Sequence, residues 1–217
     1  MRVDLTVAAG GAHVVPLPAP DTVLLSDGRR AIVRPMRPQD AAAEESFFAD
    51  LSTQSSYRRF LFAVRALPEA VLRLMTEIDP HRHVALVALA DESGDGEEAL
   101  TIVADARYVR SDDGCDAETA VAVADDWQGI GLGTALMRRL AEHARQAGVR
   151  RLHGDILADN GPIRALVQRL GGRIEEHPQD ARLCRAAAWL SQVNRPSQMA
   201  GQAAAEAPAN RLPATMA

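Results

Sequence analysis

Three glycines at alternate positions, Gly129, Gly131 and Gly133, follow Gln128 and alternate with Ile130 and Leu132 ahead of Thr134. A loop without Cβ atoms lets backbone N–H groups come close to a ligand. A helix that begins there leaves its first amides unpaired and adds a dipole that favours an anion. The ligand expected is therefore a phosphate or diphosphate. Two other phosphate loops are excluded. A Walker A loop needs Gly-Lys-Ser/Thr, and this chain contains no lysine. A dinucleotide fingerprint spaces its glycines as Gly-x-Gly-x-x-Gly after the first strand of a βαβ unit, whereas this loop follows about four predicted strands. Metal and thiol chemistry find no support either. His81 and His83 are two residues apart, but no carboxylate or thiol completes a zinc spacing. Cys115 and Cys184 are far apart, and Cys115 has no histidine in motif spacing to make it a nucleophile.

The elements around the loop follow from periodicity. A β-branched run at 119–123 alternates with period two and enters the loop. A helix at 131–147 leaves it, with Leu132, Leu136, Leu140 and Ala144 on the inner side and Gly148 as terminator. Its outer side carries Arg138 and Arg139, which a solvated helix face explains and which could also reach a phosphate on their long stems. Asp125 and Asp126 would repel a diphosphate and are expected to face solvent. Upstream, strands are predicted at 22–25, 30–34, 84–90 and 100–110, the last with Ile102, Ala104, Ala106 and Tyr108 on one face. Helices are predicted at 38–51, at 56–61 and from Pro68, as first helical residue, to 76. Downstream come a strand at 151–158, a helix at 162–170 with Ile163, Leu166, Val167 and Leu170 inward, and strands at 173–177 and 183–190. All four phenylalanines lie between 47 and 62, where they pack a core or wall a substrate cleft. The pattern predicts an α+β domain at 28–192, a mixed and largely antiparallel sheet flanked by helices. Residues 1–27 read as an N-terminal extension, and 193–217, poor in bulky apolar side chains, as a flexible tail.

Bulk properties narrow the classes further. The 217 residues carry a formal net charge of -5, which argues against a nucleic-acid partner. No apolar run approaches a membrane span, and the first residues lack the continuous apolar stretch of a signal peptide. Two scattered cysteines fit a reducing compartment, so the expected location is the cytoplasm. All 24 basic side chains are arginine, so an amine-modifying enzyme of this sequence has no lysine side chain of its own to modify.

The run Gln128-Gly129-Ile130-Gly131-Leu132-Gly133 resembles the diphosphate loop of the GNAT superfamily of N-acetyltransferases, Gln/Arg-x-x-Gly-x-Gly/Ala. Val121-Ala122-Val123 resembles the splayed central strand that holds the pantetheine arm of acetyl-CoA in that family. Asn160 matches the family asparagine that hydrogen-bonds the cofactor, and ahead of Gly161-Pro162 it also reads as a helix cap. The resemblance covers about 30–190 and implies a GNAT fold with acetyl-CoA (coenzyme A) held by residues 121–123, 128–134 and Asn160. Gln128 either contacts phosphate or shapes the loop.

A narrower resemblance runs through Arg34-Pro35-Met36-Arg37-Pro38-Gln39-Asp40, residues 47–60 and Ile78-Asp79 to bacterial Pat-type protein lysine acetyltransferases. It implies acetyl transfer to a primary amine, in the first place a lysine side chain of an acceptor protein such as an acyl-CoA synthetase. A small amine or amino acid as acceptor, or a non-catalytic acyl-CoA-binding regulatory domain, are the alternatives. In Pat-type enzymes the position of Glu118 looks like the general base, which an ammonium acceptor needs because only the neutral amine attacks. The alternative for Glu118 is a solvated carboxylate after an acidic turn. A backbone amide at Val123 or its neighbour is expected to stabilise the oxyanion. The family tyrosine that protonates the thiolate falls at Val167, so either the thiolate leaves without a protein acid or another residue supplies the proton.

Overall fold

Val84 to Ala90 is apolar throughout, as a strand covered on both faces must be. The computed structural model, which describes residues 15–62, 67–91 and 100–190, buries that run in the middle of an eight-stranded sheet. In chain order the elements are β1 (Asp21–Leu24), β2 (Arg30–Pro35), α1 (Ala41–Asp50), α2 (Thr53–Phe60), α3 (Glu69–Thr76), β3 (His83–Asp91) and β4 (Leu100–Arg110). There follow β5 (Asp116–Val123), α4 (Leu132–Gln146), β6 (Arg151–Leu157), α5 (Gly161–Arg169), β7 (Arg173–Glu176) and β8 (Leu183–Trp189). Across the sheet the order is β1-β2-β3-β4-β5-β6-β8-β7, and β5 with β6 is the one parallel pair among the described residues. This is the mixed, largely antiparallel α+β architecture expected.

Each sheet face has its own core. On one, Val84, Leu86, Ala106 and Tyr108 pack against Leu132, Leu136, Leu140 and Ala144 of α4, the residues that the four-residue spacing places inward. On the other, Ala85, Val87 and Ala122 meet Phe47, Phe48, Leu72 and Met75 of the α1–α3 layer. Phe47 and Phe48 thus serve packing, with ring centroids 4.9 Å apart, and Phe60 stacks on Phe48 at 5.2 Å. Phe62 stays 62% exposed.

Two expectations need correction. Ile102 does not share a face with Ala104, Ala106 and Tyr108. The register steps from Leu89↔Ile102 to Ala88↔Ala104, so Val103 is an extra residue on β4. Such a bulge turns the strand by one position, which puts Ile102 in the α1–α3 core and Val103 beside Ala104 on the α4 side. Pro68 precedes α3 as its N-cap and is not its first residue. The predicted strand at 22–25 is β1, hydrogen-bonded to β2 at the sheet edge. Residues 1–14 of the expected extension, all but Asp91 of the polar, Gly-containing turn that the sequence predicts at 91–98, and the expected tail at 193–217 lie outside the described residues. No helix among the described residues is long and apolar enough to cross a membrane.

Candidate active site

The parallel strands β5 and β6 pair at Asp116↔Arg151, Ala117↔Leu152 and Glu118↔His153 and at no later position. β5 continues to Val123 and β6 to Leu157, so beyond Glu118 the two part. The residue at the fork is Gly154, where an added Cβ would lie 2.8 Å from the Thr119 carbonyl oxygen. The parting strands leave a cavity of about 840 Å³, within the range of small-molecule sites. Residues 119–123 line one wall and residues 154–156 the other. Ser55, Arg58 and Arg59 of α2 close one side, and Asn160 and Val167 line it from the α5 side.

The glycine loop closes one end. Gly129 and Gly131 hold left-handed φ values of 77° and 96°, a region that side chains with a Cβ enter only with strain. Gly131 is also the N-cap of α4 and brings no side chain to cap it, and no acidic residue lies in the first turn. The leading amides of α4 are therefore left for a ligand, with a dipole that suits an anion. At Gly133 an added Cβ would touch Val123 Cγ2 at 3.4 Å, so the glycine keeps α4 close against β5. The loop and helix start thus offer free amides and a dipole that suit an anion.

Of the residues expected to bind the cofactor, Val121, Ala122, Val123, Gln128, Gly129, Gly131, Leu132, Gly133, Thr134 and Asn160 line this cavity. Ile130 does not: it packs against the α4 core, while its carbonyl accepts from Ser26 N–H at 3.2 Å. Leu132 is 1% exposed, so its side chain belongs to the core and its backbone to the loop. Gln128 shapes the loop, its Nε2 donating to Val123 O and to Ser55 Oγ, each at 3.0 Å. Asn160 does cap α5, since its Oδ1 accepts from Ile163 N–H at 3.3 Å, and it faces the cavity as well. Arg138 is exposed on the cavity rim, whereas Arg139 is tied to Asp21 of β1.

Glu118 stands one residue outside the lining. It is exposed, it occupies the last paired position before the fork, and it shares its β5 face with Ala120 and Ala122. Val167 faces the cavity from α5, so no hydroxyl is offered from that position.

Asp125 corrects a second set of expectations. Although exposed, its carboxylate does not point to free solvent. It accepts from Ser52 N–H at 2.9 Å, Ser52 Oγ at 2.7 Å and Ser55 Oγ at 2.7 Å. Desolvation works against the ionised form there, but these donors prevail and hold the carboxyl below its usual value. Ser52 is itself the N-cap of α2, so Asp125 clamps the start of that helix to the glycine loop. Asp126 is exposed as expected.

Beneath α1–α3 lies a charged cluster that periodicity does not reveal. Arg107 donates to Asp105 Oδ1 and Oδ2 at 3.0 and 2.6 Å, to Glu44 Oε1 at 2.6 Å and to Met75 O at 3.0 Å. Two carboxylates thus share one cation, and Glu44 Oε2 has no hydrogen-bond partner. Burial, then the charge of Asp105, pushes the Glu44 carboxyl well above the carboxylate range, against the pull of Arg107. Burial and Arg107 likewise hold the nearby His83 down to about 4, so it is neutral at pH 7. The available signal is Asp105 and Arg107 two apart on the same side of an otherwise apolar strand. Among the described residues no cluster of histidine, cysteine or carboxylate side chains could hold a metal ion.

Comparison with known proteins agrees with this geometry. The sequence model of the Acetyltransferase (GNAT) family matches residues 44–172. An acetyltransferase of Pseudomonas aeruginosa is 35% identical over 157 residues, which is 72% of this chain and 82% of that protein. Acetyltransferase Pat of Mycolicibacterium smegmatis is 33% identical over 161 residues, 74% of this chain but 45% of that longer protein. The crystal structure of the GNAT domain of S. lividans PAT superposes with a TM-score of 0.70 at 28% identity, covering 81% of this chain and all of that one. The forked strands, the uncapped helix start behind a glycine loop and these relatives lead to one conclusion: the chain belongs to the acetyltransferase (GNAT) family, acetyl-CoA-dependent N-acetyltransferases, with Pat-type enzymes among those it resembles.

Proposed function

We propose that the chain, through a transferase unit at 28–192, moves the acetyl group of acetyl-CoA to a lysine side chain of another protein in the cytoplasm, with Glu118 as general base. The observation that carries this is the place of Glu118 at the fork, exposed to an incoming amine and on the same strand face as Ala120 and Ala122. Amides of the Gly129–Thr134 loop would hold the diphosphate. Residues 121–123 would run beside the pantetheine arm, with Asn160 opposite. Glu118 takes a proton from the ammonium, directly or through water, and the freed lone pair attacks the thioester carbonyl carbon. The oxyanion meets an amide of β5 at Val123 or its neighbour, and collapse expels the thiolate. The similarity to Pat-type acetyltransferases, 33% identical for one of them, supports a protein acceptor such as an acyl-CoA synthetase.

The test combines labelled acetyl-CoA, a cell lysate and a panel of small amines with the Glu118→Gln variant. Label on protein lysines, with kcat falling about 10²–10⁴-fold in the variant and acetyl-CoA affinity kept by calorimetry, is the expected result. Label on small amines alone would overturn the protein acceptor. Unchanged kcat at neutral pH would remove Glu118 from the chemistry. Binding of acetyl-CoA without transfer to any acceptor would favour a regulatory domain.

A further inference from the structure

Arg59 carries a guanidinium whose Nε finds no hydrogen-bond acceptor among the described residues. That nitrogen is fully buried, the charge lies 5.0 Å from the Phe60 ring centroid and 5.8 Å from that of Phe48, and Arg59 lines the cavity. Arg107, by contrast, spends every nitrogen on Asp105, Glu44 and Met75 O. Arg59 as a whole is partly buried, and a partly desolvated cation with no bonded anion among the described residues gains when a negative charge enters the cavity.

The level of Arg59 along the cavity tells which charge that is. α2 starts at the glycine loop, where Ser52 and Ser55 bind Asp125 and Ser55 also meets Gln128. It then runs back beside β5, bringing Arg59 within electrostatic reach of Glu118. Arg59 is four residues beyond Ser55, a rise of about 6 Å, or about two residues of strand. It therefore faces the Ala120–Ala122 stretch and not the loop, about a turn away from the diphosphate seat. The charge that arises at this level belongs to the reacting thioester. Arg59 is faced by Asp105, Glu44 and Arg107 from β4 and α1, and by Glu118 from β5. The first two are already bonded to Arg107, and Glu118 is the carboxylate assigned to the amine proton. On the opposite wall Val167 offers no proton to a leaving sulfur.

We propose that Arg59 is a catalytic residue that stabilises the coenzyme A thiolate as it departs, doing by charge what a proton-donating side chain on α5 would do by transfer. This rests on the acetyl-transfer reading above. The amine lone pair forms the N–C bond while the carbonyl π pair moves to oxygen. That pair returns as the C–S bond breaks and both electrons of the C–S bond leave on sulfur; Glu118 has taken the first ammonium proton before attack, and the second, left on the cationic nitrogen of the intermediate, passes to water. The thiolate then takes a proton from water. Arg59 donates none, since a guanidinium stays charged in a protein. Its contribution is electrostatic and pre-organised by the Phe48 and Phe60 rings.

The test titrates the thiol of free coenzyme A bound to the protein, read by thiolate ultraviolet absorbance with the desulfo analogue as blank. A nearby cation favours the thiolate, so the bound thiol should ionise about one pH unit below its value in Arg59→Met, a roughly tenfold change in thiolate fraction. Arg59→Lys should recover part of the shift, and Arg58→Met should move it less than Arg59→Met does. In turnover, Arg59→Met should lower kcat about tenfold or more, while acetyl-CoA affinity by calorimetry changes less than about threefold. A bound thiol that ionises as in water in the unmodified protein would overturn the proposal whatever the variants do. So would an equal loss of kcat and acetyl-CoA affinity, or an Arg58→Met effect as large as that of Arg59→Met. In each of these cases wild-type acetyl transfer stands, whereas failure of the wild-type protein to bind or transfer would strike the earlier reading instead.

Discussion

Gly154→Ala examines the fork directly. A Cβ at residue 154 would lie 2.8 Å from Thr119 O and 3.9 Å from Thr119 C. An ordinary carbon–oxygen contact is about 3.3–3.6 Å, so β5 and β6 must separate by roughly 0.5–0.8 Å. The neighbouring pair Glu118↔His153 is the last of three, so the separation has little ladder to resist it and moves Glu118. Crowding of this kind costs about 1–3 kcal/mol. For a chain of this size that lowers Tm by about 2–4 °C per kcal/mol. The Gly129–Thr134 loop lies at the far end of the cavity, so acetyl-CoA affinity should change less than kcat. Misplacing a catalytic group by a fraction of an ångström should cost about tenfold in rate. Urea unfolding, calorimetric binding and steady-state kinetics read the three quantities. If stability stays within about 0.5 kcal/mol of wild type and kcat within about twofold, the Gly154–Thr119 contact does not set the fork, and the gap between β5 and β6 has another cause.

Arg107→Met should be severely destabilising, by about 3–5 kcal/mol in urea unfolding, because it leaves Asp105 and Glu44 buried without the cation that bonds them both. The triple variant with Asp105→Asn and Glu44→Gln should regain much of that, and a triple variant no better than the single one would deny the shared-cation picture. His83 supplies a pH signature. Its folded pKa, about 4, is below the ordinary 6.5, so its contribution is fully present above pH 6.5 and is lost as pH falls from 6.5 toward 4. Glu44, raised by burial, works in the opposite direction over part of that range. The sign is therefore read from the difference between wild type and His83→Gln, which should shift against wild type by about 1 kcal/mol from pH 7 to pH 5 after discounting for partial exposure. A pH-independent difference would place His83 in water.

Much of this molecule is legible from local pattern. Strand and helix periods are short-range properties of side-chain burial, so β5, α4 and the inward set Leu132, Leu136, Leu140 and Ala144 emerge from spacing alone. The glycine loop is legible for the same reason, since left-handed φ at Gly129 and Gly131 is a property of single residues. The bulge at Val103 is not, because an extra residue shows only against its partner strand β3.

Partnership over long separations is where the chain's letters stop informing. Asp125, which reads in sequence as a solvated acid beside an anion site, belongs to Ser52 and Ser55, more than 60 residues earlier. Glu44 and Arg107 meet across 63 positions, and no pattern within either segment announces the other. Arg59 looks in sequence like one more helix-surface cation. It acquires its meaning when α2 is pinned to the loop and laid along β5, because the burial of its Nε, unpartnered among the described residues, is a property of the assembled surroundings. The residue types and their local spacing determine the glycine loop, the alternation of strand and helix, and the carboxylate at Glu118. The depth of the fork at Gly154 and the charges that face the reacting thioester are decided by packing, since desolvation and Coulomb energy depend on distances that only the folded chain creates.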